Sequence, residues 1–350
     1  MEVKALKFGG LTAKRPIVQG GMGVGVSLSS LAGNVAKCGG VGTISGVHPG
    51  YREADFKENP FRANLRAIGN ELEKAKEIAN GGIIGFNFMT VMNHYEEYVK
   101  EAIAAGADFI VSGAGLPVNL AKYAAGTRAA ILPIVSSARA LKLIVKQWQR
   151  ADRLPDAVVV EGPLAGGHLG YPYGHLVDGT FDTLEDSLVD VVDYVLELEE
   201  KNDVKIPVIA GGGVRSHADM ERLMALGASG VQVGTKFVAT EECDAAPAFK
   251  QAYLRSRKED VQLIESPVGL AARAIRNSFL EKVEKQGRIP VQRCYQCMNH
   301  CKQAETKYCI SQALIDAVQG REGLVFCGAN AYEIEKLSTV EKVMQELCGE

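Results

Sequence analysis

Short apolar runs alternate with longer amphipathic stretches along this chain of 350 residues. The runs fall at 16–19, 41–45, 83–88, 109–112, 131–135, 157–160, 207–210 and 230–233, and each is followed by glycine or a polar turn. Runs this short and this rich in Val and Ile read as buried strands. The stretches between them, such as 95–105, 184–200 and 218–226, carry helical periodicity. Strands alternating with helices in this way imply a parallel sheet, and eight of them close a (β/α)8 TIM barrel. A doubly wound open sheet is the competing architecture, but no Gly-x-Gly-x-x-Gly unit with a downstream acid opens the chain. Residues 47–66 and 171–183 exceed the simple pattern and read as long pocket-shaping loops. The pattern stops near residue 284. The expected division is therefore a barrel over 1–284 and a Cys-rich C-terminal extension over 285–350, packed on the barrel and ending in a helix at 339–347.

Composition narrows the class without changing the architecture. Apolar residues make up 47% of the chain and charged residues 23%, a globular balance. No run approaches the ~20 apolar residues of a membrane span, and the first residues lack the apolar core of a signal peptide. A cytoplasmic location is expected. The net charge of −3, from 39 basic and 42 acidic residues, gives no basic stripe for nucleic acid. The partner is expected to be a small molecule, and the extension is the candidate surface for a homodimer.

Candidate chemistry collects where apolar runs meet glycine. Residues 161–170, Glu-Gly-Pro-Leu-Ala-Gly-Gly-His-Leu-Gly, place His168 just beyond a strand's carboxyl end, where barrel enzymes keep their reacting groups. Gly211, Gly212 and Gly213 end the seventh strand, and Gly234 with Thr235 ends the eighth. Successive backbone N–H groups at such loops hold phosphate, and these two loops are the usual barrel phosphate site.

These residues, together with Gln19-Gly20-Gly21-Met22-Gly23, Gly85-Phe86-Asn87, Ser112-Gly113-Ala114-Gly115 and residues 271–277, form an ordered set. The set resembles the nitronate monooxygenase (2-nitropropane dioxygenase) family and its relative, the flavin-dependent enoyl-acyl-carrier-protein reductase, over roughly residues 14–280. The resemblance implies an FMN-dependent oxidoreductase. It implies that Gly212, Gly213, Gly234 and Thr235 hold the FMN phosphate. Gly20, Gly21, Met22 and Asn87 are then expected along the ring, with Gln19 or Gln232 nearby. Glu161 is expected at the ribityl hydroxyls, and Gly166 and Gly167 in the turn that brings His168 to the cofactor.

Two reactions follow from the resemblance. In the monooxygenase reading, His168 acts as the acid/base on an alkyl nitro compound or orients its nitronate. In the alternative, NAD(P)H is the co-substrate and an enoyl thioester is reduced. A third reading, from outside redox chemistry, is a barrel that binds a phosphorylated ligand. His175, Tyr171 and Tyr173 are secondary candidates in the loop after His168, while His48 and His94 carry no supporting context.

The extension holds one further pattern. Cys294, Cys297, Cys301 and Cys309 lie within sixteen positions, and such density in a chain expected to be cytoplasmic points to metal, not disulfides. Four thiolates suit a [4Fe–4S] cluster or, less well beside a flavin, zinc. His300 is an alternative ligand. Cys327 is a spare, and Cys38, Cys243 and Cys348 read as isolated.

Overall fold

Each of the eight apolar runs forms a parallel strand of one closed barrel in the computed structural model, which describes residues 4–299 and 301–350. In chain order the strands are β1 (Leu6–Phe8), β2 (Leu11–Ala13), β3 (Ile17–Gln19), β4 (Val41–Ser45), β5 (Ile83–Met89), β6 (Phe109–Gly113) and β7 (Ala130–Val135). They continue with β8 (Val158–Glu161), β9 (Gly167–Leu169), β10 (Val208–Gly211), β11 (Gly230–Val233), β12 (Val261–Glu265) and β13 (Ala271–Ile275). The barrel runs β3-β4-β5-β6-β7-β8-β10-β11 and closes where β11 pairs with β3, Gln232 opposite Val18.

The alternation of side chains along these strands separates two apolar layers. Val18, Val41, Phe109, Val111, Leu132, Val159 and Ile209 pack together, and Leu6 and Phe8 join them. Those last two residues belong to the β1–β2 hairpin, whose Phe8 ring meets Phe109 edge-on at 6.0 Å. The hairpin therefore stoppers one end of the barrel and leaves the other for the site. The second layer joins strands to the surrounding helices and includes Ile17, Ile44, Ile84, Phe86, Trp148 and Val160.

The loop expected over 47–66 is shorter than its sequence suggests. Pro60 sits in the first turn of a helix, Pro60–Ala79, and the Asn59 side chain caps it by accepting from the Arg62 amide at 3.1 Å. The loop at 171–183 also contains a short helix, Tyr173–Asp178.

The chain does not leave the barrel for good at residue 284. Its last helix, Val340–Cys348, packs against the first barrel helix, Ser29–Lys37, and against His217–Ala225, the helix after β10. It thus fills the eighth position of the helical ring. Everything between β11 and that helix is inserted, including the β12–β13 hairpin, which runs antiparallel to β9. The insertion is welded to the barrel by buried polar groups. Asp244 accepts from the Leu28, Ser30 and Leu31 amides at 2.8, 3.2 and 3.0 Å, capping a helix whose own N-cap residue is Leu28.

His48, which carries no recognisable context in sequence, is the second weld. Its Nε2 lies 2.8 Å from Ser311 Oγ in the inserted helix Ile310–Val318, and its Nδ1 lies 3.2 Å from Asn64 Nδ2. Burial lowers its pKa from 6.5 to about 4. The unfolded chain then takes up a proton that the folded chain refuses between those values, so His48 makes stability fall as pH falls through that window. His48→Asn keeps a residue tolerant of the left-handed backbone found here (φ 50°) and removes the titration. Urea unfolding across pH 6.5 to 4 is expected to show a slope shallower by up to about 1.4 kcal/mol per pH unit in the variant. An unchanged slope would sink the assignment.

Candidate active site

The carboxyl ends of the barrel strands open onto one cavity of about 480 Å³, within the range that holds a cofactor and a substrate. Gly20, Gly21, Met22, Asn87, Glu161, Gly166, Gly167, His168, Gly212, Gly213, Gln232, Gly234 and Thr235 all line it. Of the cofactor-binding residues expected from sequence, only Gln19 does not line it. The Gln19 side chain is fully buried, donating to the Gly20 carbonyl and accepting from the Thr43 amide at 3.1 Å, so it ties β3 to β4.

Backbone geometry makes the cradle. Gly212 and Gly213 both sit at positive φ, +100° and +92°, and a Cβ on Gly212 would come within 2.9 Å of the Gly162 carbonyl oxygen. On the opposite wall, a Cβ on Gly21 would lie 2.4 Å from that of Asn87, whose amide donates to the Gly21 carbonyl at 3.2 Å. Both walls are therefore bare backbone by necessity, the surface that a flat ring and a phosphate require. Two cations line the cavity together with the glycine loops, Arg215 and Lys236. Arg215 lies 3.3 Å from both Asp219 and Glu333, and Lys236 lies 2.9 Å from Glu346.

His168 reaches the cavity from β9, not from a barrel strand. Residues 271–277, noticed in sequence as a motif, contribute the strand that holds it: Ala272 pairs directly with His168. Its Nε2 lies 2.8 Å from Ser266 Oγ, and its ring meets Phe326 edge-on at 5.0 Å. Neither neighbour is signalled locally in the sequence. Ser266 lies in the turn between β12 and β13, and Phe326 enters through a bridge to Ala274. Burial lowers the His168 pKa to about 4, so the ring is neutral at physiological pH. Burial pushes Glu161 the other way, up to about 8. Tyr171 supports this wall by donating to the Glu161 carbonyl at 3.1 Å, while Tyr173 and His175 are exposed.

The profile of the family described as nitronate monooxygenase matches residues 4–350. The chain belongs to the nitronate monooxygenase family. The Staphylococcus saprophyticus protein named "Probable nitronate monooxygenase" is 25% identical over 309 residues, covering 81% of this chain and 82% of that protein. Two solved structures share the fold. FabK from Thermotoga maritima is 24% identical with a TM-score of 0.71, covering 96% of this chain and 92% of its own. Nitroalkane oxidase from Streptomyces ansochromogenes is 19% identical with a TM-score of 0.67, covering 96% and 95%. Family membership makes this nitronate monooxygenase relative an oxidoreductase that uses flavin, and the non-redox reading of the barrel falls away.

The four cysteines of the extension lie apart from this cavity and line a second, smaller one. Among the described residues, no three His, Cys, Asp or Glu side chains stand close enough to hold one metal ion. His300 lies outside the described residues.

A neutral, hydrogen-bonded His168 has a direct spectroscopic signature. In proton NMR, its ring resonances are expected to stay constant as pH falls from 8 to about 5 and to move only near pH 4. Titration near 6.5, the ordinary value, would mean that the ring is solvated and not held against Ser266 and Phe326.

Proposed function

We propose that this chain is an FMN-dependent oxidoreductase of alkyl nitronates, with His168 as the acid/base. The observation that carries the reading is the placement of His168 on the same cavity as the paired glycine loops and the bare backbone of Gly20 and Gly21. Gly212, Gly213, Gly234 and Thr235 would hold the FMN phosphate. Gly20, Gly21, Met22, Asn87 and Gln232 would flank the ring, and Glu161, Gly166 and Gly167 the polyol. FMN bound here supplies the electron acceptor.

The protein's own groups set what can enter and where protons go. Ser266 fixes one imidazole nitrogen, and the ring stays neutral because its surroundings are dry and apolar. A neutral imidazole with a low pKa is a weak base. That suits a substrate already ionised at carbon, or one whose α-proton is acidic, and a nitronate or nitroalkane is such a substrate. Glu161, holding its proton at neutral pH, can donate a hydrogen bond without adding negative charge to the cavity.

One observation favours a second reading, NAD(P)H-dependent reduction of an enoyl thioester. The cavity's lining includes Phe249, Tyr253, Leu314 and Leu324, apolar surface that suits an acyl chain better than a small nitronate. Anaerobic mixing separates the two. The flavin of the purified protein is expected to bleach with an alkyl nitronate and not with NADH or NADPH. Rapid bleaching by a nicotinamide overturns the first reading in favour of the second. In either case His168→Ala is expected to keep its flavin and lose about 10²-fold or more in turnover. Unchanged turnover would remove His168 from the chemistry.

A further inference from the structure

The cysteine segment is not absorbed by the flavin chemistry, yet its surroundings are built. Cys294, Cys297, Cys301 and Cys309 line one small cavity, with Tyr295, Met298 and Tyr308 among its other walls. All four are free thiols, so no disulfide explains their convergence. The first pair is pinned to the barrel. Met298 bridges to Met92 in antiparallel fashion, the Asn93 amide donates to the Cys297 carbonyl at 3.2 Å, and Asn93 Nδ2 donates to the Gln296 carbonyl at 2.8 Å. Cys309 occupies the N-cap of the helix Ile310–Val318.

A hydrogen-bond donor faces the sulfurs. Gln296 adopts a left-handed backbone (φ 52°), which turns its amide onto Cys294 Sγ at 3.4 Å. An N–H aimed at sulfur favours the thiolate form, which a metal ligand needs and a buried structural thiol does not.

We infer that Cys294, Cys297, Cys301 and Cys309 form a four-thiolate metal centre, with an iron–sulfur cluster as the expected occupant and zinc as the competing one. One feature favours the cluster: the segment adjoins the proposed flavin site, where a cluster has an electron-transfer use and zinc has none. Leu314, five residues along the helix from Cys309 and so about 7.5 Å, lines the main cavity.

The test is metal analysis of the full chain purified without oxygen, independent of which substrate reading holds. Iron and acid-labile sulfide in equal amounts, about four of each per chain, with an electron paramagnetic resonance signal on reduction, support the cluster. One zinc per chain, without sulfide, supports the centre and overturns the cluster. Neither metal, with all four thiols open to alkylation, overturns the inference. Cys301 is exposed, so Cys301→Ser tests the ligand set with little cost to the fold. Metal affinity is expected to fall more than about 10-fold while bound flavin is retained. Cys38→Ser, outside the segment, is expected to leave metal content unchanged, and an equal loss in both variants would count against the site.

Discussion

The antiparallel ladder between β9 and β13 is the constraint on which the site depends. A chain leaving the carboxyl end of β8 over an open barrel mouth has backbone groups with no barrel partner. The Gly166–Gly167 turn lays residues 167–169 beside residues 271–273, and the ladder satisfies them. One pairing then fixes three things together. It suspends His168 over the cavity, brings Ser266 to its Nε2 through the β12–β13 turn, and brings Phe326 to its ring through the far end of β13. The His168 imidazole is thus oriented by an insertion about a hundred residues downstream, not by the barrel strand that precedes it.

That dependence explains why the insertion is fastened so firmly. Asp244 caps the first barrel helix, and His48 joins the loop after β4 to the helix that begins at Cys309. The final helix completes the ring between the helices after β3 and β10. The first two fastenings use polar groups with identified partners, which are expensive to break and specific in register. A loosely docked insertion would leave His168 about as mobile as a surface loop, and catalytic geometry tolerates little of that.

The barrel was legible because its signal is local. Eight apolar runs, each followed by glycine or a polar turn, correspond to the eight barrel strands, and the glycine loops after β10 and β11 lie on the cavity. Position along a strand was legible in part. Gln19 sits at a strand end beside Gly20, but the side-chain alternation turns it into the wall, where it bonds the neighbouring backbone. Partnerships across the insertion were not legible. Nothing near Ser266, Phe326 or His48 marks them, since their roles come from contacts with residues 98 positions away for Ser266 and 263 for His48. The closing helix was seen at nearly its true bounds, but its place in the ring depends on tertiary packing that periodicity does not encode.

The electrostatics of the cavity order its ligand. His168 is driven down to about 4 and Glu161 up to about 8 by the same cause, burial, so at neutral pH both are uncharged. Arg215 and Lys236 line the same cavity, each already paired with carboxylates. On the proposed reading the anionic end of FMN lies by these cations and the glycine-loop N–H groups, and its flat end against Gly20, Gly21 and Asn87. With both titratable groups neutral, a negative charge developing near His168 meets hydrogen-bond donors and no opposing carboxylate. Had His168 kept its ordinary pKa, the ring would gain a charge just below neutral pH; burial removes that titration, and it brings the ionisation of Glu161 up to just above neutrality.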